Sequence, residues 1–216
     1  MAKKSGGVFM IRNRLAELLS ERQLKITKVA KDTGISRNTI TSTAQNDTKM
    51  IQYDTIDVLC QYLNITPNDF FDFIPVDYSL SFFTENVSII AKTDSYYDSY
   101  VDKIEYEFIL YIDIKGYGFE KTFELLGKLW FNDENDLIIH VDFSKEEDSK
   151  EFTKKFYDKI SAGHRTLFDK EVHQTISLNF AKDLKEQQPD LLDKNYYLEF
   201  ISTIKPLINL KWEFPF

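Results

Sequence analysis

The run Arg37-Asn38-Thr39-Ile40-Thr41-Ser42-Thr43 gathers a guanidinium, a carboxamide and four hydroxyls around one apolar residue. Such groups donate and accept hydrogen bonds; none is a nucleophile set beside an activating base, so the chemistry they offer is recognition rather than turnover. Ser and Thr are mediocre helix formers, being β-branched or bonding their own backbone, so a cluster of them on a helix points to a surface that something reads. Elsewhere the reactive residue types do not combine. His140 falls in a strand pattern, His164 and His173 are nine apart and so lie on different sides of a helix, and the one cysteine, Cys60, can build neither an internal disulfide nor a thiolate metal site. Gly116-Tyr117-Gly118 lacks the third glycine and the following helix of a phosphate loop and reads as a tight hairpin turn. No catalytic residue, metal or cofactor is expected.

Several elements have to hold that polar run in place. Ile11, Leu15, Leu18 and Leu19 share one stripe, which predicts a first helix over 8–22. Ile26 to Thr33 predicts a second, with Thr27 near its start, Val29 and Ala30 inward, and Gly34 just past its end, where a positive φ costs glycine nothing. Ile35 can then plug the core, and the Ser36 hydroxyl can accept a bond from a backbone amide of the next turn. The polar helix runs from Arg37 to about Ala44 with Ile40 as its strongly apolar inward residue. Asn46 to Lys49 makes a turn; a fourth helix starts at Tyr53 or Asp54 with Ile56, Leu59, Cys60 and Leu63 inward, and Thr66-Pro67 opens a short fifth that leads into Phe70, Phe71, Phe73 and Ile74. Pro75 closes this five-helix unit.

Charge separates this unit from the remainder. The whole chain of 216 residues carries a net charge of −8, yet residues 1–50 hold ten Lys or Arg against four Asp or Glu. A basic head on an acidic body is expected where one part meets a polyanion and the other must stay off it. Hydrophobic residues at 43% and charged residues at 29%, with only 7 Gly and 5 Pro, are the composition of a folded chain. No apolar run approaches the roughly 18 to 20 residues of a membrane helix, and Met1-Ala-Lys-Lys-Ser-Gly-Gly is not followed by a signal-peptide core, so a soluble cytoplasmic protein with no membrane association is expected.

The run Ile26-Thr-Lys-Val-Ala-Lys-Asp-Thr-Gly-Ile-Ser-Arg-Asn-Thr-Ile, with its small Ala30, its turn Gly34 and its inward Ile40, resembles the helix-turn-helix signature of the phage-repressor family of Cro/Xre type. Tyr53-Asp-Thr-Ile-Asp-Val-Leu-Cys-Gln-Tyr-Leu-Asn-Ile-Thr-Pro-Asn-Asp-Phe-Phe is similar to its following helices, and the resemblance covers about a third of the chain. It implies an all-α, five-helix, lambda-repressor-like domain over 8–75 that binds double-stranded DNA with its third helix in the major groove. On that docking mode Arg37, Asn38, Thr41 and Ser42 are the candidate base contacts, Arg37 for guanine and Asn38 for adenine. Thr27, Lys28, Ser36, Lys49 and Gln52 are the candidate phosphate contacts, while Arg12, Arg14 and the Lys3-Lys4 tail are either long-range attraction or solvated charge. Asn46 and Asp47 stand where the family usually has a glycine, and Thr41-Ser42-Thr43 is short of long side chains, so hydroxyls, the Thr methyl and water would do the reading there. One such domain covers a single half-site, so a homodimer is expected, with its contact in the remainder of the chain.

Residues 76–216 read as a second domain of α+β type. Ser81–Lys92, Ile104–Lys115, Phe119–Phe131 and Leu137–Phe143 alternate apolar and polar with period two, predicting a mainly antiparallel sheet. The period lengthens around Phe152, Phe156 and Ile160, again from Leu167 to Leu184 and from Leu191 to Ile204, predicting three helices on one face of the sheet, with a last strand over Leu210–Phe214. Repressors of this kind sometimes carry a self-cleaving domain, and Ala162-Gly163 is a dipeptide of the sort they cut, but too little chain follows it and no serine context fits. The expected role is dimerisation or sensing, with room for an unknown small-molecule or protein ligand among its many aromatic residues. Three functions therefore stand: a sequence-specific DNA-binding regulator; a protein-interaction regulator of antitoxin or anti-repressor type whose helix-turn-helix does not read DNA; and, with no constellation to support it, an enzyme.

Overall fold

A computed structural model describes residues 4–5, 11–48, 50–93, 99–131 and 137–187. They divide into two compact units: the residues between Phe9 and Pro75, and everything described after Pro75 together with the amino-terminal strand.

The smaller unit contains α1 (Leu15–Glu21), α2 (Ile26–Thr33), α3 (Arg37–Ala44), α4 (Tyr53–Leu63) and the single turn α5 (Pro67–Phe70). Leu15, Leu18, Leu19, Val29, Ile40, Leu59, Cys60, Leu63 and Phe70 form its core, with Ala30, Ile35 and Ile56 packed against it. Cys60 is thus a small core residue, and burial pushes its thiol up from the ordinary value. The helix expected over 8–22 is shorter. Ile11–Asn13 is a strand, β2, paired antiparallel with β3 (Phe71–Phe73), and Ile11 is exposed rather than inward. The reason is polar: the Asn13 side chain accepts a bond from the Leu15 amide at 3.1 Å and so starts the helix there, while the Arg14 amide donates to the Phe70 carbonyl at 2.8 Å. Phe71 and Phe73, expected to follow on from the short helix, lie in this strand pair. At the start of α5 the Asp69 carboxylate accepts from both the amide and the hydroxyl of Thr66.

In the larger unit β4 (Val76–Thr93), β5 (Ser99–Gly116), β6 (Phe119–Phe131) and β7 (Leu137–Phe143) form an antiparallel sheet in sequence order. The two-residue β1 (Lys4–Ser5) pairs with Ser81 and Leu80 on the outer edge of β4, so Lys4 is part of a sheet and not a loose tail. Tyr117-Gly118 turns β5 into β6 with φ of 48° and 78°, the type I′ hairpin that the Gly-Tyr-Gly run predicts. α6 (Glu146–Lys155), a single 3-10 turn (Tyr157–Lys159) and α7 (Ala162–Gln187) follow.

Alternate residues of the strands turn one face inward: Tyr78, Leu80 and Phe82 on β4, Tyr106 to Ile114 on β5, Phe123, Leu125 and Leu129 on β6. α7 meets this face with Phe168, Val172, Ile176, Phe180 and Leu184, each four residues after the last, the spacing of neighbours along one side of a helix. Tyr78 meets Phe168 edge-on at 5.1 Å, and Tyr106 meets Phe180 at 4.9 Å. The Phe108 ring lies across Gly127, its cross-strand neighbour, and any Cβ there would overlap it. Ser161 caps α7: its hydroxyl lies 3.0 Å from His164 Nδ1 and accepts from the His164 amide. The predicted helix over Leu191–Ile204 and strand over Leu210–Phe214 lie outside the described residues.

Candidate nucleic-acid interface

α2, the turn and α3 are locally determined. Gly34 ends α2 at φ 76°, and its amide donates to the Ala30 carbonyl at 3.0 Å. No atom would touch a Cβ there, so backbone conformation and not space requires the glycine. Ser36 caps α3: its Oγ accepts from the Thr39 amide at 3.1 Å and lies 2.8 Å from the Thr39 hydroxyl.

The inward side of α3 is Ile40 and Thr43, 0% and 2% exposed. Thr43, expected on the polar surface, is buried because it sits three residues after Ile40, close to the same helix face. At about 100° per residue the opposite side presents Asn38, Thr41, Ser42 and Gln45, with Arg37 on its flank. Arg37, Asn38 and Gln45 are exposed, Thr41 and Ser42 half-buried. Gln45 belongs to this outward row but is missing from the candidates; the same 3.6-residue count one turn beyond Ser42 would have found it. Ser42 is less free than its type suggests. Its hydroxyl donates to the Asn38 carbonyl at 2.8 Å and also contacts the Thr39 carbonyl, so it can offer a ligand only lone pairs.

The carboxy-terminal end of α3 is fixed by a Schellman motif. Asn46 adopts φ 54°, its amide donates to Thr43 O, and the Asp47 amide donates to Ser42 O. The left-handed tolerance of Asn thus serves where a glycine would otherwise be needed, and its side chain does more than glycine could. Asn46 Oδ1 accepts from the Asn13 amide and from Asn13 Nδ2, both at 2.8 Å; Asn46 Nδ2 donates to Asn13 O, and Asn13 Nδ2 donates to Thr43 O at 2.7 Å. This clamp ties the end of α3 to β2. Asn13 and Asn46 are positioning residues that no local pattern couples, since they stand 33 apart.

Charge is distributed differently from the simple count. Arg12 is 6% exposed and reaches Glu17 at 2.6 Å and Asp72 at 3.0 Å; it joins β2 to β3 and α1 and is neither solvated nor available to a partner. Arg14 lies 3.8 Å from Glu21. Lys28 is paired with Asp32 at 2.8 Å, and the same carboxylate accepts from the Tyr62 hydroxyl. That bond and charge raise the Lys28 pKa and lower that of Asp32. An exposed pair of this kind exchanges for another anion at little cost. Lys25, Lys31 and Arg37 are exposed and make no ion pair among the described residues. Thr27 and Gln52 are exposed, at the first turn of α2 and the N-cap of α4; neither helix start has a side-chain cap, so its first amides can meet an anion. Lys49 lies outside the described residues. In the larger unit exposed His140 bonds Asp142, and no group of three His, Cys, Asp or Glu among the described residues is arranged to hold a metal. No helix of the described residues is long and apolar enough to cross a membrane.

Residues 14–76 match the family model described as the Cro/C1-type HTH DNA-binding domain. No curated protein and no solved structure matches the chain.

Proposed function

Since residues 14–76 are a Cro/C1-type helix-turn-helix domain, we propose that the protein is a sequence-specific DNA-binding transcriptional regulator of phage-repressor type, working in the cytoplasm without a cofactor or catalytic step. It binds operator DNA as a homodimer held through the carboxy-terminal domain. The observation that carries this reading is the outward row of α3. Arg37 and Asn38 are exposed, with no ion pair or hydrogen bond made by either side chain among the described residues, on a helix fixed at its start by Ser36 and at its end by the Asn13–Asn46 clamp. Preorganised groups of these types suit bidentate contact with guanine and adenine, each worth roughly 1–3 kcal/mol of discrimination. Lys25, Thr27, Lys28 and Gln52 supply the sequence-independent hold on phosphate, and Ser36 acts mainly by holding α3.

The test is a mobility-shift assay of the full chain in rising salt against a duplex obtained by selection. The selected duplex is expected to outcompete random DNA. Arg37→Ala and Asn38→Ala should each weaken it roughly 5- to 150-fold, the equivalent of 1–3 kcal/mol, while barely changing the affinity for random DNA. Lys25→Ala should weaken both duplexes alike and flatten the salt dependence. Equal affinity of wild type and both α3 variants for the selected duplex would move the protein to the interaction-regulator class.

A further inference from the structure

Among the described residues, the helices of the larger unit cover one face of its sheet and none covers the other. Register fixes what stands on that second face. Phe83, Ile109 and Leu126 form an apolar row across β4, β5 and β6, with Phe83 41% and Leu126 44% exposed. The Phe83 ring meets the half-buried Tyr111 edge-on at 5.6 Å, and Trp130 is a second exposed ring on this face. Two residues further along each strand on one side of the row are Glu107 and Lys128, paired at 2.7 Å; on the other side are Tyr111 and Glu124, bonded at 3.2 Å.

From this arrangement we propose that the open face is the surface on which a second copy of this chain docks, sheet against sheet, about a two-fold axis lying along the Phe83–Ile109–Leu126 row. The inference rests on the dimeric reading above and names its contact. Charge complementarity selects the occupant. Rotation about that axis stacks the apolar row on itself and exchanges the two flanking rows. Lys128, two residues after Leu126, then meets Glu124 of the partner subunit, two before it. Glu107 likewise meets the hydroxyl of the partner's Tyr111. The cation and the phenol donor each find a carboxylate in the other copy, as an isologous interface requires. Long side chains such as Lys128 bridge the crossing of roughly 30° between packed sheets. Asp113 and Glu105 oppose one another at the rim, and Asp142, which continues the row onto β7 beside Leu126, faces its own copy at that edge of the sheet; its side chain is 69% exposed, so water screens this contact as well. The size also fits. Four strands about 4.8 Å apart, running from Ser79 to Ile90 at about 3.4 Å per residue, present roughly 700 Å², near the 800 Å² per partner of a standard interface.

Sedimentation of the full chain tests this. Wild type is expected to be a dimer. Leu126→Glu, at an exposed position, should leave the circular dichroism unchanged and make it a monomer. Lys128→Glu and Glu124→Lys should each weaken association at least tenfold, because both Lys128–Glu124 contacts across the axis become Glu against Glu or Lys against Lys. Mixing these two variants restores both contacts in a heterodimer, so dimer should reappear in the mixture, a result that damaged folding does not give. A wild-type dimer that survives Leu126→Glu, or a mixture that stays monomeric, overturns the proposed face while leaving the dimeric reading standing. A monomeric wild type overturns both, and DNA reading is then judged separately by the Arg37→Ala comparison.

Discussion

The two units hold themselves together by different means. The smaller has a mostly aliphatic core and depends on a few buried polar joints, Arg12 between Glu17 and Asp72, and Asn13 against Asn46. The larger is filled by aromatic rings, with Phe152, Phe156 and Phe168 in mutual contact between the sheet and α7. A ring tolerates small shifts of its neighbours; a hydrogen bond of 2.8 Å does not. A helix whose orientation is fixed calls for the second kind of bond, whereas a core that must only persist can rely on filled volume.

The largest expected effect comes from Phe156→Ala. Phe156 is fully buried and lies 5.3 Å from Phe168 and 6.0 Å from Tyr78, so truncation should cost the larger unit about 3–5 kcal/mol. No tryptophan falls within residues 9–75 and Trp130 stands on β6, so the change in Trp130 emission during denaturant unfolding follows the larger unit. Hydrogen exchange of the α3 amides should keep its wild-type protection; parallel loss of protection would show that the contrast between the units is false.

Asn46→Ala should cost about 1–3 kcal/mol, because it removes the side-chain acceptor of the Asn13 amide, leaves Asn13 Nδ2 with Thr43 O alone, and puts a Cβ-bearing residue without the Asn preference at φ 54°. Asn46→Gly restores the backbone conformation and removes only the clamp. Both should reduce duplex affinity, Gly less than Ala. If Gly matches wild type in melting and in binding, the clamp does not orient α3.

The smallest effect belongs to Glu171, whose carboxyl is raised above the ordinary carboxylate value, first by burial and then offset by the bond it accepts from Tyr78 at 2.8 Å. A raised folded value means the protonated form is favoured on folding. The associated stability is full below the unfolded value of about 4.3 and is lost as pH rises through the folded value. Glu171→Gln keeps an acceptor without the charge, so its melting temperature should exceed wild type at pH 7 and the gap should close by pH 4. A constant gap would assign the effect to packing.

Legibility in the sequence followed the range of the interactions. Gly34, Ser36 and Ile40 specify the turn and α3 with partners a few residues away, and the long alternation of β5 and β6 with Gly-Tyr-Gly between them specifies a hairpin equally locally. β2 and β3 were invisible because three-residue strands carry no periodicity and their pairing spans about 60 residues, from Arg12 to Asp72. Arg12 looked like a surface cation for the same reason: its burial depends on a carboxylate far along the chain. Thr43 looked like a reading residue because its type matched its neighbours, and only its angle from Ile40 separates it from them. The open face of the sheet follows from alternation once the strands are in register, but which face the helices cover is a tertiary fact.

The pairing of Ile11 with Phe73 has a consequence for assembly and engineering. The chain contributes β1 to the larger unit, builds the smaller one, and re-enters the larger at Val76; Ser5 pairs with Leu80 in the one unit and Ile11 with Phe73 in the other. The smaller unit is thus a cassette spliced into a host, closed at its own base by a pair of short strands. Such a module needs only two adjacent joints to be lifted out or grafted into a surface loop of an unrelated scaffold.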